Sequence, residues 1–123
     1  MEKKRAIRSF RDLQVYQGSL DAVVIVRAVI EQLPASERFA LGDQLRRAAA
    51  SVPANIAEGY AFRQSARHFR SYLRRALGSC NEVLALLDVA RRFGYLSGEL
   101  YEEACEAYEV IGRQLYRLAE VWR

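Results

Sequence analysis

Arg63, Arg67, Arg70 and Arg74 follow one another at steps of four, three and four. On a helix turning about 100° per residue they share one narrow stripe. Guanidinium groups do no acid–base work at neutral pH, but their planar donor forks fit phosphate and carboxylate oxygens two at a time. No Asp or Glu occurs between Gly59 and Asn81, so the stripe has no local counter-ion and must find water, another subunit or a polyanion. The chemistry on offer is anion binding. Arg75, and Arg46 and Arg47 earlier in the chain, extend the set of candidate phosphate contacts to RNA or DNA. Tyr60, Phe62, Phe69 and Tyr72 flank the arginines and could stack on unpaired bases; Phe69 falls on the buried seam, and Tyr60 and Tyr72 are the better candidate platforms.

Other chemistry is poorly supplied. His68 is the sole histidine, with no Cys/His cluster to join, so neither a metal site nor a nucleophile–base pair is expected. Asn55 and Glu58 lie near Pro53 and Gly59 and read as structural: Asn55 can satisfy backbone groups loosened by the proline, and Glu58 can meet Arg63. No phosphate-cradling glycine loop is present. The reading is therefore a binding protein, not an enzyme, with no catalytic residues, no metal and no cofactor.

The elements that must position these groups are helical. The chain has 123 residues, 51% of them hydrophobic, with two prolines and seven glycines, which suits one domain and long helices. Residues 1–75 carry fourteen Lys plus Arg against seven Asp plus Glu, and residues 76–123 carry five against eight. Such an imbalance favours a polyanion or head-to-tail self-association. Residues 1–11 read as a basic, flexible arm, and 12–123 as the bundle domain. A first helix over 12–32 is expected to bury Leu13, Tyr16, Leu20, Val23, Val24 and Ile30, and it is apolar over more than one face. A second, from Ser36 to Gly59, has the seam Leu41, Leu45, Ala48, Ala49, Val52 and Ile56, with Pro53 expected to kink or open it. A third, over 63–93, buries Phe69, Leu73, Ala76, Cys80, Val83, Leu87 and Ala90 and is closed by Gly94. A fourth, over 98–122, turns Leu100, Ala104, Ile111, Leu115, Leu118 and Trp122 inward and carries Glu99, Glu102, Glu103 and Glu106 outside.

Short loops between such helices predict an all-α, antiparallel up-and-down four-helix bundle. A hairpin about Tyr60 would set Arg46 and Arg47 level with Arg74 and Arg75. One about Tyr95 would keep the acidic row away from the arginines and leave Cys80 and Cys105 too far apart for a disulfide. With no signal segment and no apolar run near the roughly 20 residues of a membrane span, a cytoplasmic protein is expected.

The runs Gln44-Leu45-Arg46-Arg47-Ala48-Ala49 and Ser51-Val52-Pro53-Ala54-Asn55-Ile56-Ala57-Glu58-Gly59 resemble a known family. Leu33-Pro34 with Glu37-Arg38-Phe39, Ala76-Leu77-Gly78-Ser79 with Glu82, and Gly94-Tyr95-Leu96 add to the likeness. The chain is similar to the small bundle proteins encoded in intervening sequences of bacterial 23S ribosomal RNA genes, the S23 ribosomal protein family. The accessory variability proteins of diversity-generating retroelements are similar to the same family. His68 departs from the pattern, standing where members often place an acid. The resemblance implies a protomer of a homo-oligomer, a pentamer, without known catalytic activity. In the retroelement branch it implies nucleic acid and a reverse transcriptase as partners. Two alternatives stay open: a protein–protein interaction module, and a purely self-assembling bundle whose arginines pair between subunits.

Overall fold

The computed structural model describes residues 6–122. Four helices account for most of them: α1 (Gln14–Gln32), α2 (Leu41–Tyr60), α3 (Ala66–Arg92) and α4 (Gly98–Val121). Each packs on its neighbours in chain order, and α1 closes the ring against α4. The architecture is an all-α four-helix bundle, as the periodicity predicts, with no strand among the described residues.

The seam of α3 is buried at all seven expected positions, and that of α2 at all six. In α4, Ala104, Ile111 and Leu115 are buried with Tyr108, while Leu100, Leu118 and Trp122 pack against the core from its margin. The first helix differs. Its buried stripe is Val15, Ser19, Ala22, Val26 and Val29, at steps of four and three, whereas Leu20 is exposed and Val24 is 67% exposed. With apolar residues on several faces, bulk does not identify the inner one; small side chains there let α1 approach its neighbours.

Helix ends follow local chemistry. Ser65 Oγ accepts from His68 N at 3.2 Å, so α3 starts at Ala66 and Arg63 lies in the preceding turn, not on the helix. Gly94, at φ 75°, terminates α3: Tyr95 N donates to Ala90 O at 2.9 Å and Gly94 N to Arg91 O at 3.0 Å. The second helix begins at Leu41 and not Ser36, because Ala35–Glu37 forms a separate 3-10 turn. The expected opening at Pro53 is absent: Val52, Pro53 and Ile56 are buried and α2 stays helical to Tyr60, tertiary packing outweighing the lost donor. Gly59 is not a helix stop either. A Cβ there would lie 2.4 Å from Tyr72 Cβ, so this glycine is what lets α2 and α3 cross closely. Before α1, Phe10–Asp12 forms a 3-10 turn with a reciprocal cap: Ser9 Oγ accepts from Arg11 N at 3.0 Å and Asp12 Oδ2 from Ser9 N at 3.0 Å. Residues 1–5 of the expected arm lie outside the described residues.

Both cysteines are free thiols, Cys80 buried and Cys105 half-buried. Burial pushes the Cys80 thiol up from 9.0 to about 12 and raises the neighbouring Tyr108 phenol, whose buried hydroxyl has no hydrogen-bond partner. The folded state thus holds the Cys80 proton more tightly than the unfolded chain. That contribution is complete below pH 9.0 and is lost as pH rises towards about 12. The urea midpoint is expected to fall steadily above about pH 9, with Cys80 alkylated only after unfolding. A midpoint unchanged from neutral pH into that range would contradict the burial of these groups.

Candidate nucleic-acid interface

The turn from α2 to α3 and the first half of α3 gather five of the seven candidate arginines. Arg63 folds back on the end of α2, donating Nη1 to Tyr60 O at 3.2 Å with its guanidinium 4.4 Å from the Tyr60 ring centroid. Arg67 and Arg74 are exposed on the outer face of α3. Arg70 leans towards α4, where its Nη1 donates to Trp122 O at 3.4 Å. Arg75 lies on the α2 side, its guanidinium 4.7 Å over the Tyr72 ring. The described ion pairs are Arg27 with Glu31, at 3.5 Å, and Arg46 with Asp43. Among the described residues no carboxylate comes within 4.0 Å of these five guanidinium groups. Glu58 is exposed and does not pair with Arg63, contrary to expectation.

Arg46 and Arg47 do not join them. Ser51 Oγ lies 2.8 Å from Ser79 Oγ, and Gly59 faces Tyr72, which centres the α2–α3 hairpin near residue 65 and not at Tyr60. Arg47 is then level with Val83, about 12 Å along the axis from Arg75. Arg46 is in addition paired with Asp43. Asn55 serves the same helix contact: its Nδ2 donates to Ser51 O at 2.9 Å and to Ser51 Oγ at 3.0 Å. The α3–α4 hairpin matches its expected register, with Tyr101 Oη donating to Asp88 Oδ1 at 2.7 Å. That bond, more than anything else, holds the Tyr101 phenol above its ordinary range. Glu99, Glu102, Glu103 and Glu106 are exposed beside the second half of α3, away from the arginines.

Aromatic packing revises the stacking candidates. Tyr60 is buried, its ring edge-to-face with Phe69 and Trp122 and covered by Arg63, so it has no face for a base. Tyr72 is half-buried between Phe62 and Arg75. Phe62, in the turn, is exposed beside Tyr72 and His68, its ring centroid 5.6 Å and 5.0 Å from theirs, and Tyr116, in the groove with Arg70 and Arg74, is a second exposed ring. The sequence signal for Phe62 was the non-helical turn that Ser65 creates. Among the described residues no His, Cys, Asp or Glu side chains group so as to hold a metal ion, and no helix is long and apolar enough to cross a membrane.

The model of the 23S rRNA-intervening sequence protein family matches residues 11–117, most of the bundle just described. The chain belongs to this family. A similar solved structure, a protein of unknown function from the S23 ribosomal protein family of Bacteroides thetaiotaomicron, has 27% sequence identity and a TM-score of 0.79. The superposition covers 87% of this chain and 96% of that one. No curated protein matches the sequence. The family is one of unknown function and carries no catalytic hint, so any specific role must be argued from the surface of this member.

Proposed function

We propose that this family member is a non-enzymatic scaffold that binds the phosphate backbone of nucleic acid through the basic edge at the start of α3. The observation that carries the reading is five arginines, Arg63, Arg67, Arg70, Arg74 and Arg75, with no carboxylate within 4.0 Å among the described residues. Glu120 lines the groove of Arg70 and Arg74 without pairing with either, and clustered cations left unpaired in this way gain from releasing the ions condensed on a polynucleotide. Backbone contacts of this kind position a strand without reading its bases, so binding is sequence-tolerant and falls steeply with salt.

A triple Arg67→Gln, Arg74→Gln, Arg75→Gln variant tests this while leaving the Arg63 and Arg70 contacts to the bundle end in place. Its affinity for RNA or single-stranded DNA is expected to fall at least about tenfold at low salt. The log–log salt slope should shrink by about 2, at roughly 0.7 per phosphate lost. Equal binding by both proteins, or none by either, rejects the assignment.

A competing reading has its own observation. Phe39 is 87% exposed, Phe93 67% and Val24 67%, apolar side chains that contact with a second copy would cover. In that reading copies of the chain assemble, with the arginines of one facing the Glu99–Glu106 row of the next. The same triple variant would then lower the mass seen by light scattering without nucleic acid present.

A further inference from the structure

Beside the basic edge runs a column of planar groups. His68 lies 5.0 Å from Phe62 at an interplanar angle of 31°, Phe62 lies 5.6 Å from Tyr72 at 8°, and the Arg75 guanidinium sits 4.7 Å over Tyr72. All four belong to the surface or its margin, and Phe62 is 43% exposed. The turn from α2 holds Phe62 through Phe62 N to Gly59 O at 2.9 Å and Ser65 N to Phe62 O at 3.0 Å, so the ring sits on a braced backbone. Arg67 precedes His68, and Arg63 follows Phe62, so cations border the column along the chain.

We infer that this edge takes single-stranded nucleic acid in preference to duplex, an unpaired base lengthening the column at its His68 end, which Phe62 supports from beneath, while the neighbouring arginines hold its phosphates. The inference rests on the phosphate-binding reading above and adds the strandedness of the ligand. An unpaired base has a free π-face and can lengthen a column of rings; a paired base has both faces covered by its neighbours. Phosphate contacts alone would not make this distinction, since both kinds of strand carry them. RNA and DNA share the chemistry used here, so the stack does not separate them.

Phe62→Leu and Phe62→Trp provide the test. Leucine keeps an apolar cover on Tyr72 without a planar face; tryptophan restores the plane. Fluorescein-labelled oligo(dT), oligo(U) and a blunt DNA duplex are titrated against the native protein and both variants across a salt series. Native protein is expected to prefer the single strands. Phe62→Leu should lose about tenfold in affinity for them, with duplex binding and salt slope unchanged. Phe62→Trp should regain the affinity, its added indole emission quenched by oligo(dT) but not by duplex. Single-strand affinity unaltered in Phe62→Leu, or native binding to duplex as tight as to single strand, overturns the stacking inference and leaves phosphate binding intact. Absence of binding to every probe by native protein would instead remove the underlying reading, and this one with it.

Discussion

Phe69→Ala is expected to lower the unfolding free energy by about 4 kcal/mol, in the range typical of a buried phenylalanine truncated in place. Phe69 is 0% exposed, and its ring meets Trp122 edge-on at 4.6 Å and Tyr60 at 6.3 Å. These three rings close the end of the bundle from which the basic edge projects. Trp122 is held from a second side, its Nε1 donating to Arg63 O at 2.9 Å. Removing the phenyl ring leaves a cavity that Trp122 cannot fill without giving up that hydrogen bond. As the one tryptophan of the chain, Trp122 also reports the change: its emission should move to the red in the folded variant. Urea unfolding gives the free energy and fluorescence the local opening. A loss under about 2 kcal/mol with unaltered emission would mean that this cluster does not seal the bundle.

Gly59→Ala should destabilise by about 2 kcal/mol, although helix propensity on its own forecasts a gain of about 1 kcal/mol. The two effects oppose each other, and geometry decides between them. An added methyl would lie 2.4 Å from Tyr72 Cβ, 3.1 Å from its Cγ and 3.2 Å from Phe69 Cδ1. A contact between two Cβ atoms cannot be relieved by a side-chain rotation, because both are fixed to helix backbones. The helices must therefore separate, and overpacking of this kind costs typically 1–3 kcal/mol, occasionally more. The urea midpoint should fall with little change in slope. A rise would show that α2 and α3 are not pressed together at this level. Because Tyr72 lies against Phe62 and under Arg75, the variant should also weaken single-strand binding if that site operates as inferred.

The contrast between α3 and α1 shows what the chain alone discloses. In α3 the apolar residues occupy one stripe and the arginines another, so the seven buried positions follow from the period. In α1 apolar side chains surround much of the helix, and the period no longer singles out a face. Ser19 and Ala22 turn inward, and Val24 turns out, only because of what α2 and α4 present to them. A similar ambiguity affected Gly59, which local rules treat as a helix stop and the crossing with α3 makes a contact point.

Register is harder still. A residue's partner across a hairpin is found by reflection through the turn, so placing the α2–α3 turn at Tyr60 when it centres near Ser65 displaces every partner by about ten positions. That displacement separated Arg46 and Arg47 from the other arginines and brought Ser51 to Ser79. The α3–α4 turn, which Gly94 and Tyr95 mark in the sequence, has the expected register, and Tyr101 meets Asp88. Helix type, the seams of α2 and α3 and the acid-free run of arginines are properties of neighbours along the chain, which is why the sequence by itself determined them. The grouping of five arginines out of seven, the burial of Tyr60 and the emergence of Phe62 depend on distances between residues far apart in the chain. Only the packed bundle decided those.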